Sequence, residues 1–208
     1  MFALSRSPWP VLPGSFFVWA TAGVLGLEAS APIWAGELPY SLLLRLLQIF
    51  WMLGCIERFG LRQVVGISWP AAADIRFFVF AAAICSFVSI VILLLSFGLL
   101  EKVAAPPMVA SLSGLLFFLL IGPIAEELLF RGILYGFLRQ TFGVPLSVMV
   151  SAVVFAIMHG TLAAPQLAGG IVFAVAYEFS RKLWIPVGLH IGANSAVIVI
   201  TLCQDYWP

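Results

Sequence analysis

The most unusual feature of the sequence is a pair of adjacent glutamates followed by an arginine within a strongly apolar stretch. Glu126, Glu127 and Arg131 form the pattern Glu-Glu-x-x-x-Arg. Residues four apart on a helix share a face, so Glu127 and Arg131 are expected to form an ion pair. Glu126 lies about 100° around the helix axis and has no partner in its own segment. The pattern therefore predicts one structural carboxylate and one that can act as a general base. An ion pair that only fixes helix packing is the alternative.

Both histidines of the chain lie in two further patterns with helical spacing. Phe155 precedes His159 by four residues, and His190 precedes Asn194 by four residues. For each polar residue alone, a hydrogen-bonded packing role is the simpler explanation. Polar groups inside membrane helices are costly, however, and the occurrence of both patterns favours a common site. At a rise of about 1.5 Å per residue, Glu126, His159 and Asn194 reach similar depths, so they can line one cavity.

These side chains together offer what the hydrolysis of a peptide bond requires. The reaction needs an activated water, stabilisation of an oxyanion and a proton for the leaving amine. Glu126 can accept the proton of the water, and His159 can help to hold that water. His190 and Asn194 can donate hydrogen bonds to the oxyanion. The His-Glu-x-x-His motif of zinc proteases is missing, and Ser195 faces about 100° away from Asn194, so a serine nucleophile is not favoured.

The composition indicates that these residues lie in a membrane protein. Of the 208 residues, 63% are hydrophobic and only 9% are charged, and the mean hydropathy is +1.14. A soluble domain carries about 25% charged residues, so these few charges cannot cover the surface of a water-soluble protein. The formal net charge of +1 gives no basic patch, and nothing indicates a nucleic acid partner. The three cysteines stand far apart in apolar runs and are interpreted as packing residues.

We predict an all-α fold, a polytopic transmembrane helical bundle of about seven spans of about 20 residues each. It forms a single integral membrane domain over residues 1–208, and the segment 108–203 carries the catalytic motifs. The first span is interpreted as uncleaved rather than as a signal peptide. Gly122-Pro123 is expected to kink or break the fourth span. The candidate spans are residues 11–27, 38–56, 77–100, 108–139, 144–160, 165–180 and 184–203.

The placement of basic residues predicts how the spans are oriented. If the N-terminus is cytoplasmic, seven basic residues fall on the inner side and only Lys102 falls on the outer side. This asymmetry is typical of cytoplasmic loops, so we predict a multi-pass protein of the inner (plasma) membrane with a cytoplasmic N-terminus. The inner basic residues are Arg6, Arg58, Arg62, Arg76, Arg139, Arg181 and Lys182.

The three patterns resemble, in order and spacing, the signature motifs of a known family. They are similar to those of the CPBP family, the CAAX-prenyl-protease and bacteriocin-processing membrane proteins that are also called Abi proteins. The flanking residues are similar too, because Phe-Arg-Gly follows the glutamate pair at 130–132 and Leu-Trp-Ile-Pro precedes the second histidine at 183–186. The resemblance covers residues 123–195, whereas the front half matches only as generic membrane helices.

The resemblance implies an all-helical intramembrane glutamic protease that needs no metal or other cofactor. The residues that would activate the water and form the oxyanion hole are Glu126, His159, His190 and Asn194. The residues that would support the site or bind substrate are Glu127, Arg131 and Phe155. The implied partners are a peptide or protein substrate, lipid-anchored or membrane-spanning, and the lipid bilayer.

Three alternatives remain open from the sequence. A metal-dependent enzyme would use Glu126, His159 and His190 as ligands. The family also includes immunity proteins and membrane scaffolds that are not described as proteases. A small transporter would use the glutamate pair as a proton relay. The complete set of motif residues favours a peptidase that cleaves near the membrane end of its substrate.

Overall fold

The computed structural model describes residues 10–30, 38–96, 105–159 and 164–206, which form seven helices and no strand. A short 3₁₀ turn at Pro107–Ala110 precedes the fourth helix. The predicted all-α bundle is therefore confirmed. Arg6 and Lys102, which contribute to the predicted orientation, lie outside the described residues. The helices are α1 (Gly14–Ser30), α2 (Leu38–Arg58), α3 (Ala72–Ser96), α4 (Leu112–Thr141), α5 (Val144–Met158), α6 (Ala164–Ser180) and α7 (Trp184–Tyr206).

Three helices in the described part of the chain are long and apolar enough to cross a membrane. These three are Tyr40–Arg58, Leu112–Thr141 and Trp184–Gln204. Gly14–Ala29 and Val144–Met158 are shorter apolar helices. Large apolar side chains such as Val18, Phe50 and Phe80 are exposed on the outer faces of α1, α2 and α3. Lipid is the solvent that suits such a surface, and the chain is a membrane protein.

Helix α4 alternates between α-helical and π-helical geometry along its length. Its π-helical segments are Phe117–Ile121 and Leu128–Tyr135, which flank the α-helical segment Gly122–Glu127. Pro123 has no backbone N–H to donate, and the N–H of Gly122 donates to the carbonyl five residues earlier. Helix α4 therefore continues through Gly122-Pro123 without a break. Single π-helical turns are frequent at functional sites, and here they surround the glutamate pair.

Helix α4 lies against most of the other helices and positions the glutamate pair between them. It contacts α1, α2, α5, α6 and α7. The larger apolar core joins Phe16 of α1 and Met52 of α2 to Ile133 and Tyr135 of α4. A smaller core, which includes Leu189 of α7, joins α3, α6 and α7. Side chains on α4 can therefore reach groups from both the front and the back half of the chain.

Helices α5 and α6 approach each other closely at Gly170. A Cβ atom at Gly170 would lie 2.9 Å from the Cα atom of Ala152, a separation that real Cβ atoms essentially never show. The absence of a side chain at Gly170 therefore permits this contact. The backbone carbonyl of Gly170 also accepts a hydrogen bond from Arg131, so the close approach has a direct effect on the glutamate pair.

The turn between α6 and α7 is fixed by the loop that follows α2. The N–H of Leu183 donates to the carbonyl of Gly66 at 3.1 Å, and Lys182 Nζ donates to Ser68 Oγ at 2.8 Å. Gly66 has a φ of +76°, and a Cβ atom there would lie 2.6 Å from the carbonyl oxygen of Arg181. Glycine is the residue that meets both requirements. This anchor sets the start of α7, the helix that carries the second histidine.

Candidate active site

The glutamate pair on α4 divides into a completely buried carboxylate and a partly exposed one. Glu127 is 0% exposed, and its Oε1 lies 3.0 Å from Arg131 Nη1 and 2.8 Å from His190 Nδ1. The ion pair expected between residues four apart is therefore observed. Because Oε1 of an ionised carboxylate only accepts hydrogen bonds, His190 donates its Nδ1–H to Glu127. The hydrogen bond between His190 and Glu127 connects α7 to α4.

Arg131 is surrounded by a carboxylate, a backbone carbonyl and aromatic rings. It is fully buried, and its Nη2 donates to the carbonyl of Gly170 at 3.0 Å. The guanidinium carbon lies 4.7 Å from the ring centroid of Phe155 and 5.4 Å from that of Phe173. The two ring faces add cation–π attraction to the pair with Glu127. Phe155, expected to support the site, thus contacts Arg131 directly.

Glu126 faces the two histidines. Its Oε2 lies 3.5 Å from His159 Nε2 and 3.8 Å from His190 Nε2. The side chain of Glu126 is 21% exposed, in contrast to that of Glu127. Among the described residues, Oε2 of Glu126 has no hydrogen-bond partner within ordinary distance. One carboxylate oxygen and two ring nitrogens therefore converge on one point.

Both histidine rings are fixed in the same tautomer by their Nδ1 atoms. His159 follows the last residue of α5, and its Nδ1 lies 2.8 Å from the carbonyl oxygen of Phe155. A carbonyl only accepts, so this Nδ1 carries the proton, as does that of His190 against Glu127. The His190 ring also stacks on Phe173, with 4.8 Å between ring centroids. In the neutral rings, both Nε2 atoms present a lone pair toward Glu126.

Asn194 lies one turn beyond His190 on α7 and contacts the backbone of α4. Its Nδ2 donates to the carbonyl of Phe118 at 2.7 Å, inside the first π-helical segment. The same nitrogen carries a second N–H. Ser195 donates its hydroxyl to Ile191 of its own helix at 2.8 Å. The structure therefore brings together Glu126, His159 and His190, whereas the described hydrogen bond of Asn194 positions α7 against α4.

A cavity of about 130 Å³ joins the site to helices α1 and α2. Glu126 and His159 contribute to one part of its wall, and Glu28, Arg45 and Gln48 contribute to another. These three polar residues of the front half are absent from the site as the motifs predict it. The signal that points to them is Arg45, because an arginine in the middle of an apolar span is rarely without a role.

A metal-dependent enzyme would need several ligand side chains that lie close together. Within the described ranges, no group of three or more His, Cys, Asp and Glu side chains has the arrangement of a metal site. Of the cysteines expected to serve as packing residues, Cys55 is buried, and Cys85 and Cys203 are half-buried.

Comparisons with known proteins agree with the position of this site in the chain. Residues 108–196 match the model of the family of Rce1-like type II CAAX prenyl endopeptidases. A Bacillus subtilis (strain 168) protein named "Putative membrane peptidase YdiL" is 30% identical over 107 residues, which cover 50% of this chain and 42% of that relative. The chain thus spans less than half the length of this curated relative. No solved structure matches the chain. The family match confirms, for residues 108–196, the resemblance that the three motifs predict.

Proposed function

We propose that the chain is an intramembrane endopeptidase that hydrolyses a peptide bond near the membrane end of a peptide or protein substrate. The observation that carries this proposal is the convergence of Glu126 Oε2 with the Nε2 atoms of His159 and His190 at 3.5 and 3.8 Å. The neighbouring carboxylate, Glu127, is fully buried, and its Oε1 is already paired with Arg131. The match to a family of CAAX prenyl endopeptidases supports the same reaction class.

The charges of the site explain why Glu126 is the proposed base. Glu127 and Arg131 neutralise each other, so ionised Glu126 gives the cluster one net negative charge. The Nδ1 atoms of both histidines already carry protons and are bound to Phe155 and Glu127. A proton added to the site can therefore bind at Glu126 Oε2 or at either Nε2 atom. A water molecule that reaches Glu126 from the cavity would give up a proton to it as the water oxygen attacks the substrate carbonyl. Glu126 would then pass that proton to the leaving amine.

The proposed oxyanion donors come from α7. The proposed resting state has the additional proton on Nε2 of His190 and leaves Glu126 ionised to take a separate proton from water. His190 then donates a hydrogen bond from Nε2 toward the substrate while its Nδ1–H remains bound to Glu127. The second N–H of Asn194 is the other proposed donor, because the first is bound to Phe118. Donors that are fixed before the reaction stabilise an oxyanion without reorganisation, which is most effective in a site that excludes water. Arg131 and Phe155 act as positioning residues that keep this arrangement.

The experiment that tests the proposal is peptide cleavage by the purified chain in liposomes. We expect the wild-type chain to hydrolyse at least one member of a set of apolar peptides that differ around the central bond, with products identified by mass spectrometry. His190→Ala, which removes the link to Glu127 and a proposed oxyanion donor, serves as the inactive comparison. If the wild type and the His190 variant give the same products at the same rates, the observed cleavage does not come from this site.

A further inference from the structure

Helices α1 and α2 carry a polar cluster that the proposed chemistry does not use. This cluster, called the α1–α2 cluster below, consists of Glu28, Arg45 and Gln48. Gln48 is 1% exposed, donates from Nε2 to Glu28 Oε2 at 2.6 Å and accepts from Arg45 Nη1 at 2.7 Å. Arg45 Nη1 lies 3.7 Å from Glu28 Oε2, beyond hydrogen-bond distance. All three residues line the cavity that also contains Glu126 and His159.

The structural link between α1 and α2 does not require Arg45. The hydrogen bond from Gln48 to Glu28 already connects the two helices, and apolar contacts such as those of Phe16 and Met52 hold them together. Among the described residues, Arg45 donates a short hydrogen bond to Gln48, three residues away on its own helix. An arginine inside an apolar span is costly. The pair with Glu28 at 3.7 Å and the hydrogen bond to Gln48 both use Nη1, and a guanidinium has further N–H donors that a ligand in the cavity can meet.

The chemistry of the α1–α2 cluster is that of a carboxylate-binding site. Gln48 donates a hydrogen bond to one carboxylate oxygen of Glu28, and Arg45 lies 3.7 Å from the same oxygen. The guanidinium of Arg45 has further N–H donors in a planar fork that matches a carboxylate. Glu28 is 42% exposed, so its carboxylate can move aside. A second carboxylate that enters the cavity would meet Arg45, whose position is already fixed by Gln48.

The size of the cavity limits where such a carboxylate lies relative to the cleaved bond. A volume of about 130 Å³ corresponds to about four water molecules, or roughly one amino acid residue. Resting on the proposed function, we infer that Arg45 is a specificity-determining residue that binds a substrate carboxylate within about one residue of the cleaved bond. The carboxylate can come from a free C-terminus or from an acidic side chain.

The test compares four peptides with the full chain in liposomes, starting from an apolar peptide that the wild type cleaves. Two peptides differ only in ending as a free carboxylate or as an amide. The other two are both amidated and carry Glu or Gln next to the cleaved bond. We expect one of the two carboxylate peptides to exceed its neutral counterpart by about tenfold to a hundredfold in kcat/KM. The pair that shows this preference tells whether the bound carboxylate is a free C-terminus or an acidic side chain.

The variants separate a binding role from a structural one. Arg45→Gln is expected to abolish the preference mainly through KM, so that kcat/KM of the preferred carboxylate peptide falls about tenfold to a hundredfold further than that of its neutral counterpart. Arg45→Lys should retain part of the preference, because it keeps the charge but not the planar fork. Arg58→Gln is the matched control, since Arg58 lies on the same helix but lines a separate groove beside Trp19 and Trp51. The Arg58→Gln variant should show the same preference among the peptides as wild type.

Three outcomes would overturn the assignment of Arg45. The first is that wild type cleaves all four peptides with equal kcat/KM. The second is that Arg45→Gln keeps the wild-type preference. The third is that Arg45→Gln lowers kcat/KM equally for neutral and charged peptides. Fluorescently labelled versions of the four peptides test Arg45 even where none is cleaved, because anisotropy measures their binding. The wild-type chain is then expected to bind one carboxylate peptide more tightly than its neutral counterpart. Binding that depends on Arg45 without any cleavage would therefore support the carboxylate site and count against the peptidase.

Discussion

His190 Nδ1 lies 2.8 Å from Oε1 of Glu127, the oxygen that also receives the hydrogen bond of Arg131. This relationship gives the two adjacent glutamates different surroundings, and the proposed mechanism assigns them different roles. Glu127 belongs to a buried hydrogen-bond network between α4 and α7, whereas Glu126 faces the Nε2 atoms of both histidine rings. The side chain of Glu126 is 21% exposed and lines the cavity, whereas that of Glu127 is completely buried.

The buried network predicts a large effect of Arg131 on stability. Arg131→Gln is expected to lower the free energy of unfolding by about 3–5 kcal/mol, because a buried Glu127 then remains without its charged partner. Arg131→Lys should recover little of this loss, because an ammonium cannot pair with Glu127, bond to Gly170 and stack on Phe155 at once. Unfolding in mixed micelles measures both variants. A change of less than about 0.5 kcal/mol for Arg131→Gln would be evidence against the network.

The contact between α5 and α6 predicts different outcomes for two adjacent glycines. Gly170→Ala places a Cβ atom 2.9 Å from the Cα atom of Ala152, so it should destabilise the fold by about 1–3 kcal/mol and reduce activity through the displaced Gly170 carbonyl. Gly169→Ala is the matched control, because its Cβ atom would meet only the Phe173 ring at an ordinary 3.6 Å. Thermal unfolding of both variants tests the contact, which equal melting temperatures would contradict.

Asn194 and Ser195 provide a second matched pair, this time for chemistry. Asn194→Ala is expected to lower kcat by about 10²- to 10³-fold, since it removes a proposed oxyanion donor and releases the carbonyl of Phe118. Ser195→Ala should keep full activity, because its hydroxyl is bound to Ile191 of its own helix. Steady-state kinetics on one cleaved peptide measures both. Loss of activity in the Ser195 variant would point to a serine nucleophile instead.

Activity is expected to persist after the removal of divalent metal ions. In the proposed mechanism the carboxylate of Glu126 takes the proton of water directly, so no Lewis acid is needed. Cleavage rates before and after dialysis against a chelator, together with metal analysis of the purified chain, provide the measurement. A metal-dependent mechanism with Glu126, His159 and His190 as ligands would show stoichiometric zinc and activity that returns only when zinc is added back.

Local patterns in the sequence were sufficient for the features that depend on one helix. Hydropathy and the scarcity of charge predict the helical membrane bundle, and the spacing of four residues predicts the pair of Glu127 and Arg131. The resemblance of the three motifs to a protease family also needed only the order of residues along the chain. These features are encoded in short segments, where helical geometry relates spacing to position.

Features that depend on how helices pack against each other could not be predicted in the same way. The rise per residue places Asn194 level with Glu126 and His190 one turn away, yet His190 is the residue that contacts both glutamates. The π-helical segments of α4 change the rotation of successive residues, which a count based on ideal helices misses. Arg45 stands far from the motifs in sequence, and its place in the cavity follows only from the packing of α2 against α4.

The most direct test of the proposed mechanism is the cleavage rate of Glu126→Gln compared with wild type in liposomes. The substitution keeps the size of the side chain but removes the proton acceptor, so kcat is expected to fall by about 10²- to 10⁴-fold. The variant is expected to remain folded, because glutamine has nearly the same size and shape as glutamate, and thermal unfolding checks this. Full activity in a folded Glu126→Gln variant would contradict the assignment of Glu126 as the base.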